Sequence, residues 1–334
     1  MKRIAINGFG RIGRTFLRTI LTDKQAQQQL DVVAINCGPT GYDSIGHFFK
    51  YDTLMGTFPD AIRVADNILT IGDKRIQLMA QADPAKIDWK ALSIDWVVES
   101  SGHFTKRDDA AKHIQAGAAR VLLTAPAHGD DVTIIPGVNN ADYNSAKDYI
   151  VSLGSCTTNA FAPLLKIMDD AFGIQSCFMT TVHAYTNTQA LLDNQMADLR
   201  RGRAAALNII PASTGASSMV KRIFPHLADV VQAQGLRVPV GKVSILDLVL
   251  HTKKQLTVQQ IHDAATAAAD GSMRGIVAFT QEQLVSSDFG GNPHSVIIDG
   301  TLTQAIGSMA KVWGWYDNEW AYSCRLRDFL VDIA

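Results

Sequence analysis

The chain has 334 residues with 31 Lys plus Arg, 32 Asp plus Glu and a net charge of −1, so charge gives no reason to expect nucleic acid, a membrane surface or an acidic partner. The length exceeds the roughly 250–300 residues that one hydrophobic core organises, which predicts two domains. The four scattered cysteines, Cys37, Cys156, Cys177 and Cys324, have no C-x-x-C spacing; no zinc site, other metal centre or disulfide framework is indicated, and with no leader or apolar run of about 20 residues a cytoplasmic location is expected.

Residues 3–36 read as a βαβ unit. Residues 3–7 form a short apolar strand, Gly8-Phe9-Gly10-Arg11-Ile12-Gly13 fits G-x-G-x-x-G, residues 14–21 are amphipathic and residues 32–36 form a second buried strand. Glycines at that spacing between strand and helix permit a tight turn, approach of backbone to a pyrophosphate, and close packing of helix on strand. The glutamine-rich 25–29 tract reads as a polar helix end or loop. Strand signals at 96–99 and 121–124 flank a helical pattern at 108–116, and the alternation argues for a doubly wound parallel sheet.

Gly154-Ser155-Cys156-Thr157-Thr158-Asn159 places one thiol among hydroxyls ahead of an apolar helical stretch. At a helix N-terminus the dipole and the amide donors favour a thiolate, so Cys156 reads as a nucleophile. Thr180-Thr181-Val182-His183 is a β-branched run ending in histidine, a base of the kind a nucleophilic thiol needs. The pair fits either a cysteine hydrolase or an enzyme that oxidises a covalently held substrate, and the dinucleotide loop is of use only to the second. Further on come strands at 243–251 and 295–299 and a helix at 258–269, read as a mixed or antiparallel sheet backed by helices.

Seven colinear stretches carry a resemblance to phosphorylating glyceraldehyde-3-phosphate dehydrogenases over essentially the whole length. They are Ile6 to Arg14, Ser155 to Asn159, His183 to Thr186, Leu199 to Arg203, Ile209 to Ala216, Arg237 to Pro239 and Trp315 to Glu319. The resemblance implies an N-terminal Rossmann domain (1–154), an α+β catalytic domain (155–316) and a C-terminal helix (317–334) returning to the first. It also implies a homotetramer whose 185–203 stretch crosses a subunit interface, acting in glycolysis or gluconeogenesis. In that family Cys156 adds to the aldehyde, His183 handles the protons, and phosphate cleaves the resulting thioester. Thr186 and Arg237 would hold the substrate phosphate, and Ser155, Thr157, Thr214 and Gly215 the attacking phosphate. Arg201 belongs to a basic loop with Arg200 and Arg203 and is expected to assist. For the nicotinamide cofactor the resemblance implies Asn7, Gly8, Phe9, Gly10, Arg11, Ile12, Cys37, Ser101, Gly102, Thr124, Asn318 and Tyr322.

Departures concern that cofactor. A Rossmann strand that binds NAD ends near a carboxylate for the adenine ribose; here it ends Asn36-Cys37-Gly38. Asp193-Asn194-Gln195-Met196 replaces an apolar Leu-Pro lid, and Ala82 stands where an arginine is usual. NADP or dual specificity is therefore expected over strict NAD. The runner-up activity is that of erythrose-4-phosphate dehydrogenase, suggested by Asn292 to Ser295, Asp299 to Thr301 and Trp320. Ser213-Thr214-Gly215-Ala216 keeps the triose form of the phosphate site. A non-enzymatic RNA- or partner-binding role would leave the nucleophile unexplained.

Overall fold

The computed structural model describes residues 1–333. The chain divides into two units, one of residues 1–134, 140–154 and the segment from Ser323 onward, the other of residues 135–139 and 155–322.

In the first unit Lys2–Asn7 is a central strand, with Ile4, Ala5 and Ile6 fully buried as a strand covered on both faces requires. It pairs in parallel with Leu30–Asn36 on one side and Trp96–Glu99 on the other. The parallel run continues through Arg120–Leu123, Ile150–Ser152 and Val132–Thr133, and on the opposite side reaches Lys74–Met79. The sheet has nine strands, and it is not wholly parallel: Ile68–Ile71 and Ile62–Ala65 close it as antiparallel strands. Asp66 and Asn67, at φ 50° and 59°, supply the two left-handed residues that a tight hairpin between those strands demands.

The helix Arg11–Leu21 follows the first strand, starting one turn earlier than its apolar pattern suggests, directly after Gly10. A Cβ on Gly8, at φ 90°, would lie 2.5 Å from Ser101 Cα, and one on Gly13 would lie 2.3 Å from the carbonyl oxygen of Gly8. These two glycines let the loop bend and the helix sit against the strand. The 25–29 tract is helical within Lys24–Gln29, because the Asp23 carboxylate accepts from the backbone of Gln25 and Ala26. The C-terminal residues pack within this unit: Phe329 meets Trp96 edge-on at 5.6 Å, and Lys2 Nζ donates to the Leu330 carbonyl at 2.6 Å.

The second unit is built on a mixed seven-stranded sheet in the order Ile210–Ala212, Val231–Val238, Ile174–Ala184, Ser244–Thr252, Met309–Tyr316, Val296–Ile306, Val277–Thr280. The helix Cys156–Phe172 lies on one face, burying Ala160, Phe161, Leu164, Leu165 and Met168 in a core shared with Leu246, Leu248, Val312 and Ile298. Pairing register aligns one end of four neighbouring strands. His183 stands opposite Arg237, Val182 opposite Ile245, and Ser244 opposite Tyr316. Among the described residues no helix is long and apolar enough to cross a membrane.

Candidate active site and cofactor cleft

Ser155 is the N-cap of the Cys156–Phe172 helix, its Oγ accepting from the Thr158 amide at 3.1 Å, so Cys156 occupies the first helical position. Its Sγ lies 3.6 Å from His183 Nε2. His183 Nδ1 is 2.7 Å from the Ala184 carbonyl oxygen, and Nε2 is the ring nitrogen that faces sulfur. Arg237 Nη1 donates to the same carbonyl at 3.0 Å and crowds Nδ1 at 2.6 Å. Burial, and then the Arg237 charge, push the His183 pKa down from 6.5 to about 3, so at neutral pH the ring is uncharged and available as a base.

The thiolate expected from the helix terminus is opposed by the surroundings. Burial pushes the Cys156 thiol up, outweighing the downward pull of the Arg237 charge and of the Thr157 hydroxyl and amide. The resting pair is thus thiol and neutral imidazole and not already an ion pair.

The residues expected to bind phosphate are placed unequally. Arg237 and Thr157 stand beside the pair, Thr157 Oγ1 4.0 Å from sulfur. The Ser155 hydroxyl is committed to its cap and to Thr158 Oγ1 at 2.9 Å. Thr186 pairs with the Thr188 hydroxyl at 2.9 Å, and Thr214 Oγ1 accepts from the Ala216 amide at 3.3 Å, with Gly215 as N-cap of the helix Ala216–Ile223. Arg201 reaches Asp198 at 3.3 Å and the Ser213 carbonyl at 3.3 Å. These groups are engaged locally, in hydrogen bonds that an incoming phosphate would have to replace.

The first unit holds a cleft of about 570 Å³ whose walls include Asn7, Gly8, Phe9, Gly10, Cys37 and Ser101. A Cβ on Gly10 would meet nothing within 4 Å. The helix it precedes has no side-chain cap and no acidic residue in its first turn, so its amides are suited to an anion. These features fit a dinucleotide. Arg11, Ile12, Gly102 and Thr124 lie outside the lining: the Arg11 guanidinium is drawn to Asp52 at 2.5 Å, and the Thr124 amide donates to the Glu99 carbonyl at 3.1 Å. Thr40, expected from the sequence as a donor to the cofactor, lines it, as do Arg14, Gln81, His103 and Phe104, which sequence reasoning passed over. Beneath the floor, Glu99 accepts from Asn7 Nδ2 at 2.5 Å and from the Ser101 amide at 2.8 Å, holding both in place.

Residues 2–107 match the family profile described as the NAD binding domain of glyceraldehyde 3-phosphate dehydrogenase, and residues 155–318 match its C-terminal domain. The chain is 43% identical over 333 residues to glyceraldehyde-3-phosphate dehydrogenase 2 of Bacillus subtilis (strain 168), covering 99% of this chain and 96% of that one. Identity to the glyceraldehyde-3-phosphate dehydrogenases of Geobacillus stearothermophilus and Priestia megaterium is 43% and 44%, each over 99% of this chain and 98% of the relative. The chain belongs to the glyceraldehyde-3-phosphate dehydrogenase family.

That membership places the chain among oxidoreductases that act on an aldehyde with a nicotinamide cofactor. Asn318 of the family's Trp315–Glu319 stretch has its Oδ1 fixed by Ser244 Oγ at 3.2 Å, which turns its amide NH₂ away from that hydroxyl. Asp317, fully buried, accepts from the Glu319 and Trp320 amides and starts the helix Trp320–Asp328, on which Tyr322 is buried. Tyr316 and Ser244, whose side chains brace this centre, carry no chemistry in an isolated sequence and were missed.

His183 has a consequence for stability. Its folded pKa lies below its unfolded value, so between about pH 3 and 6.5 the unfolded chain binds a proton that the native one does not. Stability contributed by the neutral ring is complete above pH 6.5 and is lost as pH falls, at up to about 1.4 kcal/mol per pH unit. Urea unfolding at pH 7, 6 and 5 is expected to show a slope that His183→Asn flattens by about one proton; equal slopes for the two proteins would contradict the buried neutral ring.

Proposed function

We propose that this chain oxidises glyceraldehyde 3-phosphate to an acyl phosphate, with inorganic phosphate as second substrate. The observation that carries the reading is Cys156 Sγ 3.6 Å from Nε2 of the His183 ring, in a chain that also holds a dinucleotide-shaped cleft. As His183 takes the thiol proton, sulfur attacks the aldehyde carbon; the C–S bond forms, the carbonyl π-bond breaks, and the imidazolium protonates the resulting oxygen. His183 then withdraws that hydroxyl proton as hydride departs, the C=O bond re-forms, and Cys156 carries a thioester. The nicotinamide cofactor, when bound, supplies the hydride acceptor. A phosphate oxygen adds to the thioester carbon, the C–S bond breaks, and the thiolate leaves, so the energy of oxidation is kept in the acyl phosphate. Arg237, beside the pair, suits the substrate's own phosphate as a bidentate cation. Thr157 and the helix N-terminus suit the attacking one.

An assay at 340 nm with both the triose and the tetrose phosphate aldehyde, with and without phosphate, tests this. Expected is phosphate-dependent reduction of the cofactor, faster with the triose, and loss of turnover in Cys156→Ser with dinucleotide binding retained. Substantial turnover in Cys156→Ser would sink the covalent route.

The cofactor reading favours NADP, or both dinucleotides, over strict NAD. Cys37 lines the cleft where a ribose-binding carboxylate is expected, and burial holds its thiol up at about 12, so no negative charge repels a 2′-phosphate. Arg14 on the same lining adds a cation, while the Thr40 hydroxyl is occupied by the Cys37 carbonyl at 3.3 Å. Cys37→Asp is expected to shift selectivity toward NAD by lowering kcat/KM for NADP. Wild-type preference for NAD beyond a hundredfold removes the carboxylate argument.

A homotetramer in a cytoplasmic setting completes the reading. Leu191, Leu192 and Leu199 are each at least 72% exposed on a loop tied to itself by the Asp193–Arg203 ion pair at 2.7 Å, more apolar surface than a free loop keeps in water. Sedimentation at micromolar concentration should give a tetramer; monomer alone would refute it.

A further inference from the structure

Tyr316 ends its strand 1% exposed, with its hydroxyl 3.0 Å from Thr157 Oγ1 and 2.8 Å from Thr181 Oγ1. The Ser244 hydroxyl is a further hydrogen-bond partner. Its ring meets the His183 imidazole edge-on, centroids 6.0 Å apart at 81°. Phenylalanine would fill this space without the cost of burying a phenol, so the hydroxyl needs a purpose.

Hydroxyls can exchange donor and acceptor roles by rotating one bond, with no heavy atom moving. Thr157 Oγ1 stands 4.0 Å from Cys156 Sγ and is the link between sulfur and Tyr316. While sulfur keeps its proton, the Thr157 hydroxyl can donate to Tyr316. Once sulfur is ionised, Thr157 can turn its proton onto the thiolate, and Tyr316 then donates to the Thr157 oxygen while accepting from Thr181. The chain of hydroxyls follows the sulfur between its two states.

We propose that Tyr316 is a positioning residue for the nucleophile, acting through Thr157 to direct a hydroxyl proton onto Cys156 when the sulfur ionises. The proposal rests on the reading of Cys156 as the nucleophile. The ionisable groups facing Cys156 are His183 and Arg237 from the adjoining strand ends, Tyr316, and Tyr322 from the last helix. His183 is neutral, and burial pushes both phenols up, so neither tyrosine brings charge. Arg237 is the one cation among them, and the hydroxyl relay adds to its pull on the thiolate. Burial opposes both.

The test is the pH dependence of iodoacetamide alkylation at Cys156, read by mass on the Cys156 peptide, since burial keeps the Cys37 and Cys177 thiols at about 12. Tyr316→Phe keeps the ring against His183 and removes only the hydroxyl. It is expected to move the alkylation midpoint up by about one pH unit, a tenfold loss of thiolate at fixed pH. Thr157→Val should do the same, the double variant should go no further than Thr157→Val alone, and Thr157→Ser should keep the parent profile. An unchanged profile in Tyr316→Phe overturns the proposal, as do shifts that add in the double variant. Should Tyr316→Phe fail to fold by circular dichroism, the Thr157→Val and Thr157→Ser pair decides, equal profiles counting against the relay. Turnover surviving in Cys156→Ser would instead defeat the nucleophile reading, whatever the alkylation profiles are.

Discussion

The carbonyl oxygen of Ala184 organises this site, because two side chains converge on it. His183 Nδ1 lies 2.7 Å from it and Arg237 Nη1–H donates to it at 3.0 Å. The first contact holds the imidazole ring, and with it the Nε2 that faces sulfur, in place. The second aims the guanidinium beside the same ring, where its charge, together with burial, discourages protonation. One main-chain acceptor therefore sets the base, its orientation and the position of the cation suited to phosphate. A main-chain atom is well suited to the task, since no side-chain substitution removes it.

The convergence depends on sheet register. His183 and Arg237 share a pairing position on parallel neighbours, and Ser244 and Tyr316 share one on antiparallel neighbours. Ser244 Oγ accepts from the Ala184 amide at 3.1 Å, joining the two pairs across the sheet. A one-residue slip in either ladder would turn these side chains to the opposite face. The large core beneath the Cys156–Phe172 helix resists such a slip, because a slip would also expose Leu246, Leu248 and Val312. Hydrophobic packing remote from the reacting atoms thus holds their geometry.

Local signals were legible in the sequence and distant ones were not. Gly8, Gly10 and Gly13 declare a dinucleotide loop because their spacing alone carries the meaning, and Ser155 ahead of Cys156 declares a helix start. The parallel core of the first sheet followed from alternating elements, while its antiparallel edge lay in Asp66-Asn67, a turn pair whose meaning was overlooked. Cys156 and His183, which the structure brings within 3.6 Å of each other, were singled out by residue type and flanking pattern. Tyr316 was not, because its hydrogen-bond partners Thr157 and Thr181 lie 159 and 135 positions away. Nor could the ionisation of Cys156 be read correctly, since the helix terminus is a local feature and the burial that opposes it is a property of the assembled core.

The two units use buried polarity to different ends. Under the cofactor cleft, the Glu99 carboxylate accepts from Asn7, from the amide and hydroxyl of Ser101, and stands 2.9 Å from His113 Nε2. Trp89 Nε1–H donates to His113 Nδ1 at 3.1 Å, so the nitrogen facing Glu99 is the one that carries the proton. Apart from the Ser101 hydroxyl the donors there are N–H groups of fixed direction, and the network holds the cleft wall in one shape. Around Cys156 the partners include the Thr157 hydroxyl, whose proton can turn. A cleft that binds a dinucleotide gains from rigidity, because an ordered site loses less entropy on binding. A sulfur that must pass from thiol to thiolate to thioester and back gains from neighbours that can change from donor to acceptor without moving their heavy atoms.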